Sequence, residues 1–277
     1  MSKIWFITGA ARGIGAEIAR AALAAGDKVV ATGRNQQHLQ QRYAEYGEQV
    51  LSLALDVSQP AQAEAAVASA LATFGRIDVL VNNAGYGLLG LFEEVAAAEI
   101  QRQFDTNFFG LLHVTRAVLP AMRRQRSGHI FNLSSIGGVY GFAGAGVYCA
   151  TKFAVEGYSE SLALELAPFG IHMTIVEPGF FRTDFLDTSS VRWGEQRIAD
   201  YAETSAAIQH NYTAHNHQQA GDPAKLGAAL VRLAGEAKPP LRYAAGSDAY
   251  AGIAEKLALR LDELQAWRTL SESTDIR

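Results

Sequence analysis

Tyr148 and Lys152 stand at i and i+4 at the end of the stretch Ser135–Lys152, SIGGVYGFAGAGVYCATK. If Tyr148 opens a helix, as the run from Cys149 to Ala154 suggests, that spacing stacks both side chains on one face across a single turn. A phenol beside an ammonium is an acid–base device. Free tyrosine titrates near pH ~10, and a fixed positive charge one turn away favours the phenolate. A surface tyrosine and lysine with no chemistry between them would show the same spacing, so the decision lies with the rest of the chain.

A second constellation lies near the start. Thr8-Gly9-Ala10-Ala11-Arg12-Gly13-Ile14-Gly15 joins the apolar run 3–8 to an alanine-rich helical pattern from about Ile14 to Ala25. In such a turn the backbone N–H groups and the positive helix end face a phosphate, and glycines let a pyrophosphate approach. Strand, glycine turn, helix is the setting a dinucleotide site needs, which favours that reading over an ordinary turn. The end of the second strand selects the cofactor. An acidic residue there would hydrogen-bond the adenosine ribose 2′-hydroxyl and favour NAD(H), whereas this chain has Thr32-Gly33-Arg34-Asn35. Arg34 can accommodate a 2′-phosphate and Arg12 offers a second cation, so NADP(H) is favoured over NAD(H). The alternative is that both arginines are solvated surface charges.

These residues must be positioned by the elements around them. Apolar runs at 3–8, 28–32, 50–55, 79–81, 129–133, 171–176 and 241–243 predict seven strands. Helical patterns fall between them, at 36–46, 60–73, 100–126, 148–167 and 223–234, with a last one at 249–270. The 100–126 pattern is interrupted only mildly, by Gly110 and Pro120. The strands are apolar throughout rather than alternating, as in strands covered on both faces. The expected fold is therefore α/β: a Rossmann-type, doubly wound, mostly parallel seven-stranded sheet with helices on both faces. No linker or repeat divides residues 1–277, so one domain is expected.

Composition narrows the class. Hydrophobic residues make up 49% and charged residues 19% of the 277, which fits a folded globule rather than a disordered chain. A net charge of −4 gives no argument for nucleic acid or an anionic membrane surface. The single cysteine, Cys149, excludes an intrachain disulfide or a cysteine-cluster metal site and points to a reducing compartment. Residues 1–9 are too short for a secretory signal, and no apolar run approaches the ~18 residues of a membrane span. A soluble, cytoplasmic protein is expected.

Taken together, the motifs resemble the short-chain dehydrogenase/reductase family over residues 3–183. The order T-G-x-x-x-G-x-G, N-N-A-G (Asn82–Gly85), a lone asparagine in the long helix, S-S (Ser134-Ser135), Y-x-x-x-K and P-G-x-x-x-T (Pro178–Thr183) runs without a gap. The resemblance implies that Tyr148 is the general acid at a carbonyl oxygen. It implies that Lys152 lowers the tyrosine's pKa and holds the nicotinamide ribose, and that Ser135 hydrogen-bonds the substrate oxygen. Asn107 matches an asparagine that holds a water in a proton relay to the lysine; mid-helix it is otherwise a mild helix weakener. Gly9, Arg12, Gly13, Ile14 and Gly15 match the phosphate turn. Asp56 and Val57 match the adenine contacts, and Asn83, Ala84 and Gly85 the turn against the adenine ribose. Pro178, Gly179, Phe181 and Thr183 match the element that holds the carboxamide, with Phe181 in a place where smaller residues are usual. The implied activity is NADP(H)-dependent interconversion of a ketone or aldehyde and its alcohol. Two other readings remain: an NAD-dependent alcohol or hydroxysteroid dehydrogenase, and a nucleotide sensor that has lost catalysis. The resemblance also implies self-association through the two long helices.

Other features invite weaker readings. His210, His215 and His217 have suggestive spacing but lie in a polar, turn-rich segment without a cysteine partner, so no metal is expected. Cys149 is expected to pack rather than react. Ile253, Leu257, Leu261, Leu264 and Trp267 form an amphipathic stripe suited to core or subunit contact. Residues 184–221 read as a long irregular loop, a candidate lid over the site. Its Phe185, Leu186, Trp193, Tyr201 and Tyr212, with Phe180, Tyr140 and Phe142, either form a hydrophobic substrate pocket or only tie the loop down.

Overall fold

Ile4–Ile7 (β1) are buried on both faces, and the strand lies inside the sheet, flanked on both sides, in a computed structural model that describes residues 2–187 and 190–276. Thereafter the chain alternates. The glycine turn leads to α1 (Gly13–Ala24), β2 (Lys28–Gly33), α2 (Gln36–Arg42), β3 (Val50–Ala54), α3 (Pro60–Phe74) and β4 (Val79–Asn82). A short strand β5 (Gly87–Leu89) precedes α4 (Ala97–Phe104) and α5 (Gly110–Gln125), and then come β6 (Gly128–Leu133), α6 (Gly146–Leu166) and β7 (Ile171–Pro178). The last part contains β8 (Val191–Trp193), α7 (Ala202–Ala214), α8 (Pro223–Leu233), β9 (Arg242–Ala245), α9 (Ser247–Ala266) and α10 (Arg268–Glu272).

Seven strands pair in the order β3-β2-β1-β4-β6-β7-β9, each pair parallel. Trp5 is in register with Val29 on one side and Val79 on the other. Alternate residues of β1 feed two cores. Phe6 joins Val67, Leu80, Val114, Val118 and Ile130 on the face covered by α3, α5 and α6. Trp5 and Ile7 join Ile18, Leu39, Phe131, Leu226 and Leu230 on the face covered by α1, α2 and α8. Strand order reverses between β1 and β4, the switch point beyond whose carboxyl ends a ligand crevice opens.

Local chemistry sets the helix ends. Pro60 starts α3 and Gly75, at φ +77°, stops it in the left-handed conformation. Asp222 caps α8 by accepting from the Ala224 N–H at 2.9 Å, with Pro223 next in line.

Several boundaries differ from the sequence reading. The helix expected over 36–46 ends at Arg42, because a tighter turn with Gly47 at φ +50° follows. The pattern at 100–126 is continuous but contains a π-turn over Asp105–Phe109, closed by the Gly110 N–H on Asp105 O. Gly110 is there for contact: a Cβ would lie 2.5 Å from a methyl of Val57. The strand expected at 241–243 lies at 242–245, and the last helix breaks at Trp267. The segment 184–221 is not irregular: β8 pairs in parallel with β5 as a second, two-stranded sheet, and α7 follows. Three-residue strands are too short to carry a periodic signal.

The C-terminal stripe is not core. From Leu257 to Ile276 every residue is exposed, Leu264 at 66% and Trp267 at 61%. No helix among the described residues is long and apolar enough to cross a membrane.

Candidate active site

A cavity of about 850 Å³ opens at the carboxyl ends of the strands, lined from Gly9 after β1 to Pro178 at the end of β7. It brings together Gly9, Arg12, Gly13, Ile14, Arg34, Asp56, Val57, Asn83, Ala84, Gly85, Ser135, Tyr148, Lys152, Pro178, Gly179, Phe181 and Thr183. Two expected residues, Gly15 and Asn107, stand behind its wall.

The phosphate turn is tied to the turn after β4. Thr8 Oγ1 accepts from the N–H groups of Asn83 and Ala84, at 2.9 and 3.0 Å. The Asn83 amide returns the bond by donating to Thr8 O at 2.9 Å and Gly9 O at 3.1 Å. Gly9 takes φ +65°, where a side chain would be strained. Gly15 packs rather than lines: a Cβ would lie 2.5 Å from Gly9 O and run into the Asn83 amide. Below, Asn82 Nδ2 donates to Thr115 Oγ1 and Asn132 Oδ1, and Asn132 donates to Ser159 Oγ, a buried polar network the sequence reading did not find. The side chain of Asp56 turns inward on its own loop, accepting from Ser58 N and Oγ.

At the other end, α6 begins at Gly146, so Tyr148 lies within its first turn and Lys152 one turn on. Lys152 Nζ is 5.7 Å from the centre of the Tyr148 ring and donates to Leu133 O at 2.7 Å. Ser135 caps the short turn that follows β6, its Oγ accepting from Gly137 N at 3.0 Å. Gly137 is small for a reason: a Cβ would meet Cys149 Sγ and the Tyr148 ring at 3.3 Å each. The π-turn presents Asn107, whose Oδ1 accepts from Tyr86 N at 3.1 Å while Nδ2 donates to Tyr86 O at 3.0 Å. The same Nδ2 reaches Thr151 Oγ1 at 3.4 Å, so Asn107 joins the β4 exit to α6. A single π-turn inside a helix commonly marks a functional position.

Electrostatics departs from expectation at the acid–base pair. Burial pushes the Tyr148 phenol up to about 12, with hydrogen bonding by Ser135 working against it. Burial also pushes Lys152 down to about 8, opposed by the Glu156 carboxylate one turn further along α6. Removal from water disfavours both charged forms. For the tyrosine that favours the neutral phenol. Behind the pair, Glu156 and Glu177 share Arg242, at 3.4 and 3.7 Å, and burial raises Glu177 to about 7.

Aromatic residues form the remaining wall. Phe142, Leu186, Trp193 and Tyr212 pack with Tyr148 around Leu89, Ala145, Cys149 and Val191, and the first four also line the cavity. They shape the pocket and tie the segment down at once. Tyr201 is only an anchor, its hydroxyl donating to Glu93. Cys149, 4% exposed, packs as expected. The three histidines do not converge. His217 Nε2 meets Asp187 Oδ1 at 3.0 Å with Asp184 nearby, while His215 Nδ1 is 2.7 Å from Asn211 O. Tyr86, Arg102, Arg192 and Gln219 also line the cavity without a signal in the sequence beyond polarity.

The residues present fit a nicotinamide dinucleotide. Among the described residues, Lys152 uses one of its three donors, on Leu133 O. Gln219, 5% exposed, has a buried Oε1 with no partner, and neither the N–H nor the C=O of Phe181 is bonded among the described residues. A sheet with a switch-point crevice, a glycine phosphate turn and a Tyr–Lys pair defines a dinucleotide-dependent oxidoreductase fold. Residues 3–192 match the family model described as short chain dehydrogenase. The chain belongs to that family. It is 41% identical over 275 residues to Oxidoreductase BOA17 of Botryotinia fuckeliana (strain B05.10), covering 98% of each. A short-chain dehydrogenase structure from Streptomyces avermitilis superposes with a TM-score of 0.92 at 40% identity, over 100% of both chains. Another family member, from Burkholderia phymatum in complex with NAD, gives a TM-score of 0.83 at 25% identity over 96% of this chain and 95% of its own.

Proposed function

We propose that this oxidoreductase is NADP(H)-dependent and interconverts a ketone or aldehyde with its alcohol, acting as a carbonyl reductase. The observation that carries the reading is Tyr148 in the cavity wall, with Ser135 in the same wall and the buried Lys152 Nζ 5.7 Å from its ring. When bound, the nicotinamide supplies the hydride that reaches the carbonyl carbon. Tyr148 gives its hydroxyl proton to the carbonyl oxygen as negative charge grows there. Ser135 Oγ donates a hydrogen bond to that oxygen, and the Lys152 ammonium stabilises the phenolate left behind. Asn107 keeps Tyr86 and Thr151 in place around them. In the alcohol direction the same residues act in reverse, with Tyr148 taking up the proton.

Arg34 at the end of β2, with no carboxylate in its place, supports a 2′-phosphate and hence NADP(H) over NAD(H). The aromatic wall of Phe142, Phe185, Trp193 and Tyr212 supports a hydrophobic small-molecule substrate. Exposed Phe109 at the start of α5 and Phe153 on α6, and the uncovered stripe on α9, support a homo-oligomer. We read the chain as one domain working in the cytoplasm.

The test is consumption of NADPH and of NADH by purified protein over a panel of aldehydes, bulky ketones and hydroxysteroids. Faster turnover with NADPH is expected. Turnover with NADH alone would replace this reading by an NAD-dependent alcohol or hydroxysteroid dehydrogenase. Tight cofactor binding with every carbonyl inert would favour a sensor.

A further inference from the structure

The first turn of α9, 70 residues beyond β7 in the chain, reaches back to the loop that follows that strand. Asp248 Oδ2 accepts from the Phe180 N–H at 2.7 Å. The approach is built into the neighbouring backbone. A Cβ at Gly179 would run into both oxygens of the carboxylate, and one at Gly246, which takes φ +103°, would lie 2.5 Å from Oδ1. Gly179 N donates to Ala245 O at 2.9 Å, just before the turn that carries Asp248.

The opposite edge of the loop is held as well. Gly221 N donates to Phe180 O at 3.0 Å, and Arg182 N donates to Gly221 O at 2.8 Å. Phe181 is the central residue of this parallel bridge, so its own N–H and C=O point away from Gly221. The Phe181 ring packs over Gly221, where a Cβ would meet it at 2.8 Å, and against the core that holds Val176 and Ala245, and the residue also lines the cavity. Phe180 contributes its ring to the same wall, edge-on to Phe142 with centroids 6.4 Å apart. One turn later, α9 touches that wall again, because Gly252 leaves room for the hydroxyl of Tyr140, whose ring lies 5.0 Å from Phe142.

We infer that Asp248 is a positioning residue for the nicotinamide end of the cavity. Its carboxylate fixes the Phe180 peptide and so sets the peptide groups of Phe181, which have no partner among the described residues, for the cofactor. A carboxylate on a backbone N–H is a charge-assisted bond, stronger than one to a neutral acceptor. It acts through Phe180 and touches no reacting atom. The inference rests on the cofactor reading above.

The experiment compares two ligands on three proteins. Binding of NADPH and of 2′-phospho-ADP-ribose, which lacks the nicotinamide, is measured by titration calorimetry for wild type, Asp248→Asn and Asp248→Ala. Losing a hydrogen bond to a charged group weakens binding by roughly 10-fold or more where the bond orders the site. Asp248→Ala is therefore expected to weaken NADPH by about that factor and leave the truncated ligand within about twofold. Asp248→Asn keeps an acceptor and should fall between them, and it decides the matter if the alanine variant does not fold. Equal weakening of both ligands would show a general structural role and overturn the inference, as would unchanged NADPH affinity in folded variants. A wild-type protein that binds neither ligand would instead overturn the cofactor reading itself.

Discussion

Tyr148 and Tyr212 line the same cavity, yet the helices that carry them are held in different ways. α6 buries nine residues, Lys152 and Glu156 among them, and its side chains bond to β6 and to the π-turn at Asn107. α7 buries none. Beyond the pairing of β8 with β5 and the packing of Trp193 and Tyr212, the segment leading into it is held by polar bonds to one short stretch. Glu94, 2% exposed, accepts from Ser205 Oγ at 2.6 Å and from Ile198 N at 3.3 Å, and Glu93 accepts from Tyr201. An element with few buried apolar contacts opens locally at low cost, whereas one built into the core opens only with the whole. The Tyr–Lys pair thus sits on the helix built into the core, and Tyr212 on one with no fully buried residue, which is the contrast the following substitutions test.

The sharpest way to break that contrast is Tyr148→Phe. It removes one oxygen from the core-built side, so turnover should fall by roughly 10²- to 10⁴-fold, the range for a lost general acid, while NADPH affinity holds. A loss of affinity matching the loss of turnover would make Tyr148 a structural residue instead. Arg34→Asp acts on the same side but at its far end. Lost charge-assisted contacts to a phosphate should lower the NADPH-to-NADH affinity ratio by roughly 10- to 100-fold without touching the chemical step. An unaltered ratio would place 2′-phosphate recognition elsewhere. Glu94→Ala tests the other side. Hydrogen exchange at 198–214 should accelerate and the KM for a carbonyl should rise by a few fold, with cofactor affinity unchanged. Equal acceleration in α6 would mean that the two sides are one cooperative unit.

The balance between Tyr148 and Lys152 shows where reading from sequence stops. Their spacing predicts a shared helical face, and the structure has one. It also suggests a phenol depressed by its neighbour, whereas the upward shift of the phenol comes from burial, and how far both groups are withdrawn from water depends on α6 lying against β6. Asn107 is similar. An asparagine in a helix hints at a purpose, but the π-turn that aims it at Tyr86 depends on Gly110 meeting Val57 across two elements. For residues 184–221 polarity and turn residues suggested an irregular loop, because the pairing of β8 with β5 spans about a hundred residues of chain and only three of strand.

By itself the sequence determined the seven-stranded parallel order of elements, the glycine turn, the Tyr–Lys spacing and the arginine at the end of β2. All of these are written within a single strand, turn or helical repeat, where periodicity and backbone preference act locally. Only the tertiary structure decided which way burial moved the acid–base pair, that Gly15 packs while Gly9 lines, that Glu94 latches α7, and that a carboxylate at Asp248 holds the loop after β7. Those outcomes depend on groups far apart in the chain meeting at about 3 Å, and no local pattern encodes such a meeting.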